Sequence, residues 1–287
     1  ANEAHAFGIS DSAAFFRVLS ASLYSNKPLA VVREIMCNAW DAHIEGKVDR
    51  PIEVTLDRTQ LIIRDFGTGL SPEQIINNYT TYGGTTKIEN EEVTGGFGLG
   101  SKAPFAYVDH FEVTSWHDAE DAIIGSKRTK TIWNLCLSSA LVEGKPQVMK
   151  IVDIPTTEPT GIQVSLKLKQ SYDYDTFSKL LRLITKFGEM NVKLNNKVLD
   201  KLPFTEAEHG FLILDKATMP MESEARIWIR YGHVVYPLEV HNDFRAEYDR
   251  AKKFLQDING DNAYRYGNDT RWVLILQAAP NSISITP

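Results

Sequence analysis

Residues 95–102 read GGFGLGSK, and the fold turns on what this run is for. Four glycines in eight residues, with Lys102 at the end, supply positive-φ conformations that let successive backbone amides close around an oxyanion. Two common loops of that kind do not fit. A P-loop needs Gly and Lys adjacent with Ser or Thr next, whereas Ser101 stands between Gly100 and Lys102. A dinucleotide fingerprint sits between a buried strand and its helix, whereas this run follows the polar segment GGTTKIENEEVT at 83–94. A glycine turn without a ligand stays open until the rest of the chain is read.

Toward the N-terminus, Pro28 opens a helix that runs through LAVVREIMCNAWDAHIEG and ends at Gly46. Glu34, Asn38 and Asp41 are spaced four and three apart and share one face, with Val32, Ile35, Met36 and Ala39 on or near the opposite one. Taken alone, this is an ordinary amphipathic helix with a solvated stripe. A carboxamide between two carboxylates also suits a magnesium ion that arrives on a triphosphate. Such an ion keeps its waters and needs few protein oxygens, so the neutral Asn38 oxygen is a sensible ligand. Glu34, one turn away, then stands where it can hold the water that attacks the terminal phosphate.

Between that helix and the glycine run, RDFGTGL at 64–70 carries an apolar strand into Asp65, followed by Gly67 and Gly69. A strand-end carboxylate can accept the exocyclic amine of adenine, and glycines let a flat base lie over the main chain without a side-chain collision. The DFG element of protein kinases is excluded, because kinases place their glycine loop before DFG and need an HRD loop between.

The remaining chain sets the frame. With 287 residues there is room for one large or two modest domains. Cys37 and Cys136 lie far apart without metal-ligand spacing, which argues for a reducing compartment and against zinc or a disulfide framework. The net charge of -6, with both signs interspersed, shows no nucleic-acid-binding stripe. No apolar run is long enough to span a bilayer and ANEAHAFGIS is no signal peptide, so a soluble, intracellular protein is expected. His43, His110, His117 and His233 lack metal spacing and read as surface or satisfied core residues, and Arg33 and Arg64 as partners in structural ion pairs.

Ser10 or Asp11 caps a first helix ending near Ser25, with Phe15, Phe16, Leu19 and Leu23 on one face. IEVTL and LIIRDFG read as strands, and FEVTSW, TIWNLCL, VMKIVDI and GIQVSLKL as an antiparallel sheet. A helix presenting Phe177, Leu180, Leu181 and Ile184 leads into NVKLNNKVL, where Asn195 and Asn196 suit a hairpin turn. A domain boundary falls near Leu202 and Pro203, beyond which ARIWIRYGHVVYPL is a hairpin and WVLILQ a buried strand.

In order, EIMCNAWDA, DFGTG, GGFGLGSK and TGIQVSL resemble the four boxes of the GHKL ATPases, the superfamily of DNA gyrase B, MutL, the ninety-kilodalton heat-shock chaperones and the sensor histidine kinases. The resemblance implies a Bergerat ATP-binding fold over 1–203, an α/β two-layer α+β sandwich with a mixed, largely antiparallel sheet. It also implies that 204–287 begin a second, transducer-like α/β domain. By the same resemblance, residues 77–102 form a lid that includes Lys87. Its glycine box, Gly96, Phe97, Gly98, Leu99, Gly100, Ser101 and Lys102, caps the phosphates at the start of a helix near Lys102. Asp41 joins Asn38, Asp65, Gly67 and Gly69 among the nucleotide contacts. Many relatives carry Thr after the Gly of the last box; here Ile162 follows Gly161, and Thr160 is the substitute from the other side. A sensor kinase would need a phospho-acceptor helix, which the sequence lacks.

More narrowly, VVREIMCNAWDAH, RDFGTGLS and GGFGLGSKAPFAYVDHFEVTSWH look like the rIIA rapid-lysis proteins of tailed bacteriophages, with weaker likeness through YGHVVYPL to ISITP. That resemblance implies a slow Mg-dependent ATP hydrolase in the cytoplasm of an infected bacterium, with ATP-dependent homodimerisation and a host or phage protein as partner. It also implies an N-terminal fragment whose basic phosphate contact lies beyond Pro287. An ATP-bound scaffold with negligible turnover, or a DNA-processing ATPase of the gyrase B or MutL type, remains the alternative.

Overall fold

The structure, a computed structural model, describes residues 4–6, 27–80, 100–119, 127–137, 147–206, 211–220, 225–231, 234–237, 245–259 and 272–278. The helix expected between Ser10 and Ser25 lies outside the described residues, as do Lys87, Gly96, Phe97, Gly98, Leu99 and His233. Two compact units are present, one from Ala1–Leu181 with Asn191–Leu199 and one from Arg182–Met190 with Asp200–Thr286.

The first unit is built on a mixed sheet of β1 (Ala4–Ala6), β2 (Ile52–Leu56), β3 (Gln60–Arg64), β4 (His110–Asp118), β5 (Arg128–Cys136), β6 (Gln147–Pro155), β7 (Gly161–Lys167), β8 (Val192–Leu194) and β9 (Lys197–Val198). The order is β1-β6-β5-β4-β7-β3-β2-β8-β9. The β2/β8 pair is parallel and the other neighbours are antiparallel. Asn195 and Asn196, with φ of 47° and 65°, make the β8–β9 turn as their chemistry predicts. Asn195 also exchanges two side-chain hydrogen bonds with the Leu56 backbone, at 2.9 and 2.8 Å, and so fastens this hairpin to β2.

Helix α1 (Lys27–Glu45) is more deeply buried than a solvated stripe allows. Val31, Val32, Ile35, Met36 and Ala39 are in the core, but Glu34 and Asp41 are buried as well, and only Asn38 of the three stripe residues is exposed. Its end is a Schellman turn, in which Lys47 N–H donates to the Ile44 carbonyl and Val48 N–H to the His43 carbonyl. The left-handed residue is Lys47, with φ 49°, one position past the predicted stop at Gly46. Helix α2 (Pro72–Thr80) carries a reciprocal capping box: Gln74 N–H donates to Ser71 Oγ, and Ser71 N–H to Gln74 Oε1. In place of the helix expected from Lys102 there is a 3₁₀ turn over Gly100–Ala106. Pro104 has no N–H to continue a helix, and its carbonyl instead collects the N–H groups of Tyr107 and Val108.

Helix α3 (Asp173–Phe187) buries Phe177, Leu181 and Ile184 as the spacing predicts. The second unit has β10 (Thr205–Glu206), β11 (Phe211–Asp215), β12 (Ile227–Tyr231), β13 (Val234–Pro237), β14 (Trp272–Ala278) and α4 (Arg245–Asn259). Its sheet runs β10-β11-β14-β12-β13, with β12 and β14 parallel. Strand alternation gives it two apolar faces. Phe211, Ile227 and Leu274 pack with Ala251 and Leu255 of α4, while Leu212, Leu214, Trp228, Val273 and Ile275 pack with Leu183, Phe187 and Leu202.

Candidate active site

Glu34 sits mid-helix on α1, 8% exposed, and its two oxygens face different partners. Oε1 takes both Nε and Nη2 of Arg33, at 3.2 and 3.0 Å, the ion pair expected of that arginine. Oε2 looks toward Gly100, where an added methyl would stand 2.6 Å from it and 3.8 Å from Asn38 Nδ2. The end of the glycine run therefore lies directly on the acid and the amide, and any side chain at Gly100 would fill that space. Burial raises the Glu34 pKa, Arg33 opposes the rise, and nearby Asp41 adds to it.

Asp65, at the end of β3, is 5% exposed and held by main chain alone. Its Oδ1 accepts the N–H of Gly67 at 2.9 Å and of Ile162 at 3.1 Å, and its own N–H donates to the Ile162 carbonyl at 2.8 Å. Among the described residues Oδ2 takes no hydrogen bond, so one oxygen is fixed and the other is unengaged. Burial, the largest influence, pushes the Asp65 carboxyl up to about 6 against the opposing amides. The donor from the last box is thus the Ile162 backbone, which is indifferent to the absence of a threonine hydroxyl at that position.

The box glycines are required first by the protein's own packing. A methyl at Gly67 would lie 2.8 Å from Ala42 Cβ of α1. Gly69, with φ +74°, abuts the Trp116 carbonyl, and Gly161, with φ +131°, abuts the Asp65 carbonyl and the Arg64 guanidinium. Through the room at Gly161, Arg64 crosses β7 to stack over Trp116, 3.8 Å from the ring centroid. It donates to the carbonyls of Asp65, Pro159 and Thr160. Among the described residues Arg64 makes no ion pair, contrary to expectation; carbonyls and rings take its charge because its reach is directed along the backbone of the last box. Thr160 contributes its carbonyl to this clamp.

Ser101 Oγ and Lys102 Nζ both donate to the Asn78 carbonyl, at 2.8 and 2.9 Å. Lys102 is 1% exposed, and burial brings its pKa down to about 8. His43 is a core histidine: its Nε2 accepts the Phe66 N–H at 2.8 Å, while its Nδ1 finds no hydrogen-bond partner. Sequence reading missed three contributors, His43, the Ile162 amide and the Arg64 clamp. The Ile162 amide leaves no residue-type signal, His43 was visible only as a histidine without metal spacing, and Arg64 only as an arginine beside a candidate acid.

No group of three His, Cys, Asp or Glu side chains converges on a metal position among the described residues. A magnesium ion delivered by phosphates needs no such cage. The exposed Asn38 amide beside Gly100, one turn from Glu34, fits that demand.

The sheet, the helix and this convergence of four segments make up a mixed α/β fold of the GHKL type. The family model for histidine kinase-, DNA gyrase B-, and HSP90-like ATPases matches residues 25–138, which take in α1, the DFGTG turn, the glycine run and β4 and β5. The chain is 22% identical over 287 residues to an endoplasmin homolog of Caenorhabditis elegans, covering 85% of this chain and 36% of that protein. It is 29% identical over 199 residues to the chaperone protein HtpG of Coxiella burnetii, covering 60% and 29%, and 32% identical over 129 residues to HtpG of Rickettsia akari, covering 36% and 20%. The chain spans 20% to 36% of the length of these relatives. No helix among the described residues is long and apolar enough to cross a membrane.

Proposed function

We propose that this chain binds Mg-ATP and hydrolyses it slowly, with residues 1–203 as the ATP-binding domain and 204–287 as part of a transducer-like domain. The observation that carries the proposal is the meeting of four distant segments. Gly100 lies against Glu34 and Asn38, while the Asp65 turn is bonded to Ile162 and packed on the same helix through Ala42 and His43. In this reading Asp65 Oδ2 accepts the adenine amine, with Thr160, Gly161, Gly67 and Gly69 lining the base, and Asn38 coordinates the metal, with Asp41 behind it. Gly96, Phe97, Gly98, Leu99, Gly100 and Ser101, with Lys87, surround the phosphates, and Lys102 joins them on leaving the Asn78 carbonyl. Glu34 polarises the attacking water and takes its proton. Magnesium, when bound with the triphosphate, supplies the charge neutralisation that phosphoryl transfer requires.

The Arg33 contact favours slow turnover, since it holds Oε1 of Glu34 in an ion pair. It equally supports the second reading, a nucleotide-bound scaffold with negligible hydrolysis. ATP-dependent homodimerisation and a conformational cycle that acts on a protein partner accord with the chaperone relatives. A cytoplasmic setting, a switch in phage–host interaction of the rIIA kind and a gyrase B- or MutL-like role rest on sequence resemblance, and the net charge of -6 speaks against the last of these.

Calorimetry with ATP, ADP and a non-hydrolysable analogue, with and without magnesium, together with phosphate release, tests the proposal. Magnesium-dependent binding with measurable release supports it. Binding without release selects the scaffold, and no binding of any adenine nucleotide ends the reading.

A further inference from the structure

Three consecutive N–H groups at the end of β3 have three different acceptors. Asp65 donates to the Ile162 carbonyl at 2.8 Å, Phe66 to His43 Nε2 at 2.8 Å, and Gly67 to the Asp65 carboxylate at 2.9 Å. The middle bond ties the turn to α1, the helix that carries Glu34 and Asn38. We propose that His43, as a neutral imidazole protonated on Nδ1, is a positioning residue that fixes the adenine-side turn on the helix bearing the catalytic acid. This rests on the nucleotide reading of the site given above.

A backbone N–H can only donate, so the Nε2 that receives it must be bare and the ring proton must be on Nδ1. Nδ1 itself closes no hydrogen bond, and the Arg50 backbone acts on the ring only by raising its pKa against the larger effect of burial. His43 is 2% exposed, and its own carbonyl is engaged by Val48 N–H in the helix-ending turn, so the ring projects from a fixed base. Ala42, the preceding residue, is the one Gly67 packs on. Shape at Ala42 and direction at His43 together set where Asp65 stands relative to Glu34, nine residues up the helix and about 13 Å along its axis.

The charged groups facing the imidazole are both cations. Arg50 is stacked on the Phe66 ring, 3.5 Å from its centroid, and Arg64 lies 4.6 Å from the same ring. A proton added to Nε2 would point a second donor at the Phe66 N–H between these guanidinium groups. Burial first, and then both arginines, hold His43 below the ordinary histidine value, which keeps it an acceptor at neutral pH.

The test uses the 287-residue chain. Nitrogen NMR of the histidine side chains should find His43 with a bare Nε2 and a protonated Nδ1 at pH 7; an Nε2–H tautomer, or a cation at that pH, overturns the proposal without any mutation. By calorimetry, His43→Leu should bind ADP about five- to a hundredfold more weakly at pH 7.5, the consequence of an unpaired buried N–H, while His43→Gln, whose carbonyl can accept, recovers most of the loss. Asp65 titrates in parent and His43→Gln alike, so the ratio of their ADP affinities isolates His43; it should be flat above pH 7 and fall against the parent in acid. A flat ratio throughout counts against the proposal. Parental ADP binding at pH 7.5 is the control for the site. If it is absent, the nucleotide reading fails; if it is present and His43→Leu matches it in a chain that still melts cooperatively, this inference alone fails. Should His43→Leu not fold, the tautomer and the His43→Gln ratio decide.

Discussion

Glu34 and Asp65 are two buried acids whose pKa values rise for the same reason, yet they are held in opposite ways. Glu34 projects from a helix, with one oxygen on a charged side chain and the other against a glycine. Asp65 ends a strand, with one oxygen on two backbone amides. A side-chain partner can move with its ligand and leaves the proton affinity adjustable, which suits an acid that must take up a proton. Backbone amides, here one from β7 and one from the turn after β3, are fixed by the fold, which in the proposed site suits an acceptor that recognises one ring edge. In the proposed site the contrast assigns chemistry to Glu34 and recognition to Asp65.

The largest expected effect breaks the chemical half alone. Glu34→Ala should cut phosphate release by about two to four orders of magnitude while calorimetric ADP affinity stays at the parental level. Equal loss of both would mean that the helix acid serves binding, and the division of labour would be wrong.

Asp65→Asn should do the reverse. Adenine-nucleotide affinity should fall about ten- to a hundredfold, because a charge-assisted acceptor is lost, while the fold survives. A carboxyl raised from 3.8 to about 6 contributes stability that is complete below its unfolded pKa and lost as pH rises through about 6. Above that pH its burial costs up to about 3 kcal/mol, which the amide removes. Thermal melts at pH 7.5 should therefore show the variant as stable as the parent or more so. A marked loss of stability would show that the carboxylate is a structural keystone instead.

Gly161→Ala tests the frame that both halves share. With φ of +131° and the Asp65 carbonyl and Arg64 in the way, it should lose at least about 2 kcal/mol of stability in denaturant melts. The smallest effect sharpens the contrast. Arg33→Met removes the group that opposes the burial shift on Glu34, so the acid limb of a pH–turnover profile should move to higher pH. The corresponding limb of ADP affinity, governed by Asp65, should not move.

Much of the first unit is legible from local chemistry. The Asn195–Asn196 turn, the strand alternation and Pro28 near the helix start act within a few residues, and the Ser71–Gln74 capping box is readable in the same way. The four boxes were legible as a set, because each needs particular residue types at close spacing. Burial of the Glu34 stripe was not, because it depends on the 3₁₀ turn some 65 residues later covering α1. Ile162 illustrates the same limit: its side chain suggested a missing contact, while the backbone N–H that binds Asp65 is common to every residue except proline.

The sequence by itself determined which chemical groups this protein can bring to a nucleotide, namely an acid, an amide and a strand-end carboxylate, with glycines where no side chain fits. Those are matters of residue type and short-range spacing, which covalent geometry and hydrogen-bonding capacity fix. Tertiary structure alone decided which oxygen of each acid is occupied, that His43 spans from helix to turn, and that Arg64 passes over Gly161 to Trp116. These follow from burial and from contacts between segments distant in the chain, where the neighbours and not the residue set the proton affinity and the direction of every polar group.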